Sequence, residues 1–286
     1  MKQQPLTQKS SVIIYALGFI IMLVASIIAT TVIPNDTNFY IYICYIIPQL
    51  AYLTAIISYT RYAKLDFKLN IKENVHKNNL KYLIAILVGG GIFFSALLPN
   101  YFLVKLYAIL DFDMQVAVPA LNGNIDYLLS LITICILPPI CEELMFRKAL
   151  VDGFSLLGTI SAILLSALLF SLSHLNPVQT IYQFILGVIL ALIYIKTKDI
   201  LITIIIHVVN NLLAFFLGAL TSAVIWEQMK VLLLCIFIGL PVAVLGLLLI
   251  LKGGTVNTKK QEKLHPFTII LLAIMLLLCV LNVVLI

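Results

Sequence analysis

The stretch "IDYLLSLITICILPPICEELMFRKAL", residues 125–150, is long and apolar enough to cross a bilayer, yet it holds two prolines, two adjacent glutamates and an arginine. A membrane helix needs about 20 largely apolar residues, and a charged side chain at its centre costs about 2.5–3.5 kcal/mol on insertion scales. Whether this run lies in lipid or in a soluble core is decided by the rest of the chain. Of 286 residues, 63% are hydrophobic and 10% charged, and the mean hydropathy is +1.14. Soluble domains carry roughly a quarter charged residues, so the surroundings are lipid.

Reading outward from 125–150 gives nine candidate spans: 11–33, 40–60, 80–98, 125–150, 159–175, 178–195, 200–219, 231–251 and 267–286. The fifth and sixth are short, and one of them fits a re-entrant piece as well as a span. The fold class is therefore an all-α polytopic membrane helix bundle with about eight to nine transmembrane helices. It forms a single integral membrane domain over 1–286, with a core at 125–215. The N-terminal apolar run is too long for a signal peptide and reads as a retained first helix.

Charge gives an independent check. With the N-terminus cytoplasmic, sixteen of the eighteen Lys and Arg residues fall on the inner side, leaving Lys105 and Lys230 outside. A missed or extra span would scramble that alternation, so it supports both the count and a multi-pass cell-membrane location. It also accounts for the net charge of +6 without nucleic acid as a partner. Asp36, Asp111, Asp113 and Glu227 fall in outer segments, and the inner loop 61–81 has Leu65, Leu69 and Ile71 among its lysines, which suits either the anionic inner leaflet or solvent. The five cysteines lie in apolar runs without CxxC spacing and read as small buried hydrophobes.

With the loop charges set aside, a small polar set remains: Glu142, Glu143 and Arg147 in the fourth span, His174 at the end of the fifth, and His207, Asn210 and Asn211 in the seventh. Glu143 and Arg147, four apart, share a helix face, while Glu142 lies about 100° round from Glu143. Pro138 and Pro139 remove two amide hydrogens and are expected to disrupt the helix one turn upstream, opening carbonyls and space beside the carboxylates. His207 and Asn211 are one turn apart, with Asn210 near enough to stand in. At 1.5 Å of rise per residue, Glu142, His174 and His207 lie about 15, 20 and 10 Å from the inner ends of their helices, so they bracket the membrane centre and meet only if the helices tilt.

If they meet, a Glu and a His can hold a water and take its proton while a second His and an Asn offer N–H groups to an oxygen that turns negative. Those are the two requirements of amide hydrolysis. Each residue also has a plainer explanation: a structural ion pair with a spare carboxylate, a helix-end histidine, and asparagines hydrogen-bonding between helices. A non-catalytic membrane scaffold and a small transporter are the competing functions, although the Gly/Pro interruption at 138–139 has no partner in a second half of the chain, as a transporter repeat would require.

The three motifs together resemble those of the CAAX protease and bacteriocin-processing family of intramembrane endopeptidases: "EELMFR" for Glu-Glu-x-x-x-Arg, "FSLSH" for Phe-x-x-x-His, and "HVVNN" for His-x-x-x-Asn. The resemblance covers roughly 125–215. It implies a glutamate-dependent endopeptidase acting on a hydrophobic peptide or membrane-protein tail, with Glu142 and His174 activating water, Glu143 and Arg147 supporting the site, and His207 and Asn211 stabilising the oxyanion. It also implies a reaction without metal or other cofactor, although two His and a Glu suit zinc by ligand type. Relatives are linked to bacteriocin immunity. Two features depart from the pattern: Lys148 where many relatives have Gly after the arginine, and nine spans where relatives often have eight. Oligomeric state is not specified by any of these features.

Overall fold

The computed structural model describes residues 3–34, 37–69, 71, 79–109, 118–220, 229–252 and 262–284. Within them the chain is helical: α1 Gln8–Val32, α2 Asn38–Tyr62, α3 Asn79–Ile109, α4 Asn124–Val151, α5 Thr159–Leu172, α6 Pro177–Thr197, α7 Ile200–Leu220, α8 Met229–Leu251 and α9 Pro266–Val284. Among the described residues, seven helices are long and apolar enough to cross a membrane, and α5 and α9 supply shorter apolar ones. Hydroxyl caps start the first two helices. Thr7 and Ser10 form a reciprocal capping box on α1, and Thr37 accepts the Tyr40 amide on α2.

Contacts between helix ends establish that the spans alternate. On one face Gln4 pairs its backbone with Lys64 and Asp66, Glu262 N–H donates to the Leu156 carbonyl, and Lys198 reaches Asp152. On the other face the Asn38 side chain bonds the Ala120 backbone in both directions, Tyr42 donates to Asp126, and Tyr107 donates to the Pro177 carbonyl. The first face gathers the N-terminus and the segments after α2, α4, α6 and α8, and these segments with the helix ends beside them hold most of the Lys and Arg. We call it the basic face. The outer acids Asp36, Asp111, Asp113 and Glu227, and Lys72, Lys77, Lys259 and Lys260 of the inner loops, lie outside the described residues.

The prolines of α4 do not break it. The helix widens to π-helical turns over Leu131–Ile136, where the Leu137 N–H reaches back to the Ile132 carbonyl, then tightens over Leu137–Glu143 and widens again over Leu144–Val151. A wide turn accommodates two residues without N–H groups by shifting the register of the ladder instead of ending it. Carbonyls on the second wide turn take hydroxyls from neighbouring helices: Ser166 of α5 donates to Phe146 O and Ser11 of α1 to Ala149 O. Gly153, just past α4, must stay glycine, because a Cβ there would come 1.8 Å from Ser11 Oγ.

Two packed halves result. Helices α1, α2, α4, α5 and α9 surround Tyr15, Met145, Phe146 and Phe170, while α3, α6, α7 and α8 surround Val88, Leu190, Ile206 and Ala243. Gly91 lets α3 touch α8 directly, since an added Cβ would lie 2.7 Å from the Ala243 nitrogen. Small residues permit this backbone approach where lipid supplies no hydrophobic drive between helices. Helix α5 has 14 residues, about 21 Å of rise against a hydrocarbon layer of about 30 Å, so its two ends cannot both reach the headgroups. It runs from the segment after α4 to the turn at Asn176 that opens α6.

Candidate active site

The two adjacent glutamates of α4 have separate surroundings. Glu143 is fully buried: its Oε2 takes the Arg147 Nε–H at 2.9 Å and its Oε1 lies 3.0 Å from His207 Nδ1. Arg147 is equally buried, its guanidinium carbon 5.0 Å from the centre of the Phe170 ring, and its Nη1 and Nη2 have no hydrogen-bond partner among the described residues. The ring face of Phe170 therefore stands where a second oxygen would otherwise be needed. Glu142, one residue earlier, points into a cavity with 13% of its side chain exposed.

His207 lies between the two. A carboxylate only accepts, so the ring nitrogen bonded to Glu143 carries the hydrogen. That directs Nε2 towards Glu142, whose Oε2 is 3.7 Å away, an ion-pair separation rather than a hydrogen bond. His174 is oriented in the same way: its Nδ1 lies 2.9 Å from the Phe170 carbonyl, which also only accepts, leaving Nε2 of a neutral ring as a lone pair. Phe170 meets both imidazoles edge-on, with ring centres 5.1 Å from His174 and 5.7 Å from His207. One aromatic ring thus fixes two histidines and backs the arginine.

Asn211 makes the kind of interhelical hydrogen bond that the sequence suggested, and the acceptor is specific. Its Nδ2 donates to the Ile134 carbonyl at 3.2 Å, and Ile134 is the acceptor that Pro138, having no N–H, leaves open in an α-helical ladder. One hydrogen of the amide is thereby committed to α4, and a second remains. Asn210 accepts the Tyr182 hydroxyl.

Glu142, His174, His207 and Asn211 line one cavity of about 700 Å³. Glu143 and Arg147 lie behind its wall rather than on it. The structure thus brings together residues whose depths, counted along the separate helices, only bracketed one another. The enclosure is wider than helices α4, α5 and α7, because α2, α3 and α6 also contribute walls through Gln49, Asn100 and Gln183. Gln49 is the residue sequence reasoning missed: 4% exposed, it donates Nε2–H to Glu142 Oε1 at 3.4 Å. A polar amide beside Pro48 within an apolar span was the available signal. Among the described residues, no three His, Cys, Asp or Glu side chains converge as metal ligands.

Comparison with known proteins adds one finding. Residues 124–213 match the family model described as type II CAAX prenyl endopeptidase Rce1-like, a segment running from the start of α4 into α7 and containing Glu142, Glu143, Arg147, His174, His207 and Asn211 but not Gln49. No curated protein and no solved structure gave a match.

Proposed function

We infer from the Rce1-like segment that the chain belongs to the CAAX protease family of membrane hydrolases, and we propose that it is a single-domain intramembrane endopeptidase in which Glu142 activates water against a peptide bond of a hydrophobic or membrane-associated peptide or protein tail. The observation that carries this reading is the division between the glutamates: Glu143 is sealed against Arg147 and His207, while Glu142 faces the cavity. A structural ion pair needs only the first. The second is a partly buried carboxylate held by a weak amide contact, open to a molecule in the cavity.

In this reading the Glu142 carboxylate takes a proton from water, and His174 Nε2 accepts the water's other hydrogen bond. The water oxygen bonds to the peptide carbonyl carbon, and the carbonyl oxygen becomes negative. The uncommitted hydrogen of Asn211 and the Nε2–H of His207 face that oxygen; for His207 this requires the imidazolium form, which donates Nδ1–H to Glu143 and Nε2–H to the cavity. Collapse breaks the C–N bond, and the leaving nitrogen takes the proton from Glu142, giving one carboxylic acid and one amine and returning Glu142 to its carboxylate; the acid then loses its proton to the amine, leaving a carboxylate and an ammonium. Glu143 and Arg147 hold His207 without touching substrate, and residues 125–215 form the catalytic core.

The test is turnover by the purified protein in liposomes, with a prenylated CAAX peptide as probe and mass spectrometry reading the shortened product. The expected result is cleavage that EDTA and o-phenanthroline leave unchanged. No cleavage of the prenylated peptide or of unmodified hydrophobic peptides would contradict the protease reading in favour of a scaffold, and a chelator loss restored by zinc would contradict the metal-free course.

A further inference from the structure

The cavity is closed towards the basic face and open towards the other. Below Glu142, in the direction of the basic loops, α4 contributes Met145, Phe146, Arg147, Ala149 and Leu150, each 0% exposed, and α7 contributes Ile202, Thr203 and Ile206 in the same state. Nothing the size of a peptide passes through such a floor. In the opposite direction the lining residues are Pro138 and Ile134 on α4, Cys44 near the start of α2, Asn100 towards the end of α3, and Val118 in the segment before α4. Cys44 and Asn100 are exposed, and Val118 is 54% exposed. Each lies towards the face where Asn38 meets Ala120 and Tyr107 meets Pro177.

Basic loops face the cytoplasm in membrane proteins. We propose that the catalytic cavity opens on the opposite, exoplasmic side, so that its substrate class is an exported or membrane-anchored peptide that enters from the outer half of the bilayer and reaches down to Glu142. This rests on the protease reading only for the word substrate; the opening itself is a property of the packing. A peptide approaching from the cytoplasm meets the buried floor, whereas one lying in the outer leaflet reaches Glu142 past Asn100 and Cys44.

Cysteine accessibility tests the opening without any turnover. The other four cysteines are replaced by alanine, leaving Cys44, and intact cells and inverted vesicles are each treated with a membrane-impermeant sulfonated maleimide. Asn100→Cys in a cysteine-free chain is a second reporter of the mouth, and Lys252→Cys in the same background reports the basic face. The expected result is labelling of Cys44 and Asn100→Cys only in intact cells, and of Lys252→Cys only in inverted vesicles. Labelling of all three from one side, or of neither mouth reporter from either side, would overturn the opening. The reversed pattern would keep the opening and overturn the exoplasmic source. Separately, a charged, impermeant hydrophobic peptide added outside intact cells should be cut by the wild-type chain and spared by E142Q. Cutting confined to inverted vesicles would overturn the proposal while leaving the protease reading intact, and correct labelling without cutting in either preparation would instead fault the protease reading and the word substrate with it.

Discussion

Two ion pairs lie end to end on the last turns of α4. Glu143–Arg147 and Lys148–Asp152 have the same spacing of four and the same N–O distance of 2.9 Å, but the first pair is 0% exposed on both sides while the second is 15% and 21% exposed. The outer pair is one corner of a cluster in which Asp152 also accepts from Tyr194 and Lys198, at a face where water competes for every charge. The inner pair has no such competition, and its carboxylate is shared with a histidine that faces the cavity. Equal geometry therefore serves different ends: one pair joins helix ends at the surface, and the other orients an imidazole in a dry interior.

That difference is open to measurement. Arg147→Ala leaves Glu143 buried without its cation, and breaking a fully buried pair costs about 3–5 kcal/mol. It should appear as a large drop in thermal stability in detergent, and a melting temperature close to wild type would contradict the structural role. Next come His207→Ala and Asn211→Ala, each expected to lower turnover by about 10²-fold, as removal of an oxyanion donor does. Asn211→Ala should also cost some stability because it orphans the Ile134 carbonyl. Gln49→Leu removes a hydrogen bond to a charged group, and should slow turnover by about tenfold while folding normally; unchanged turnover would reduce Gln49 to lining. Smallest is Asp152→Asn, where partly exposed pairs contribute about 0–1 kcal/mol, and a loss as large as that of Arg147→Ala would erase the contrast between the two pairs.

Much of this was legible beforehand, for physical reasons. Apolar length and the side on which Lys and Arg fall are properties of local sequence, and they located the nine helices found among the described residues. The spacing of Glu143 and Arg147 likewise fixed their pairing, because helix geometry alone places residues four apart on one face. What depended on neighbouring helices was not legible. Residue counts along α4, α5 and α7 left Glu142, His174 and His207 at different depths, since helix tilt and the short reach of α5 do not appear in a linear count. Pro138 and Pro139 read as a disruption one turn upstream, which is where the wide turn lies, but the cover for Ile134 O comes from Asn211 on another helix. Gln49 escaped notice because a neutral amide is a weak signal beside paired carboxylates.

The central claim is the separation of Glu142 from Glu143, and both can be altered by the same isosteric change. Glu142→Gln and Glu143→Gln, purified side by side, are compared for peptide cleavage in liposomes and for melting temperature. The account predicts that Glu142→Gln melts like the wild type and cuts almost nothing, while Glu143→Gln loses stability along with activity. Near wild-type cleavage by Glu142→Gln, or equal losses of stability in the two variants, would contradict it.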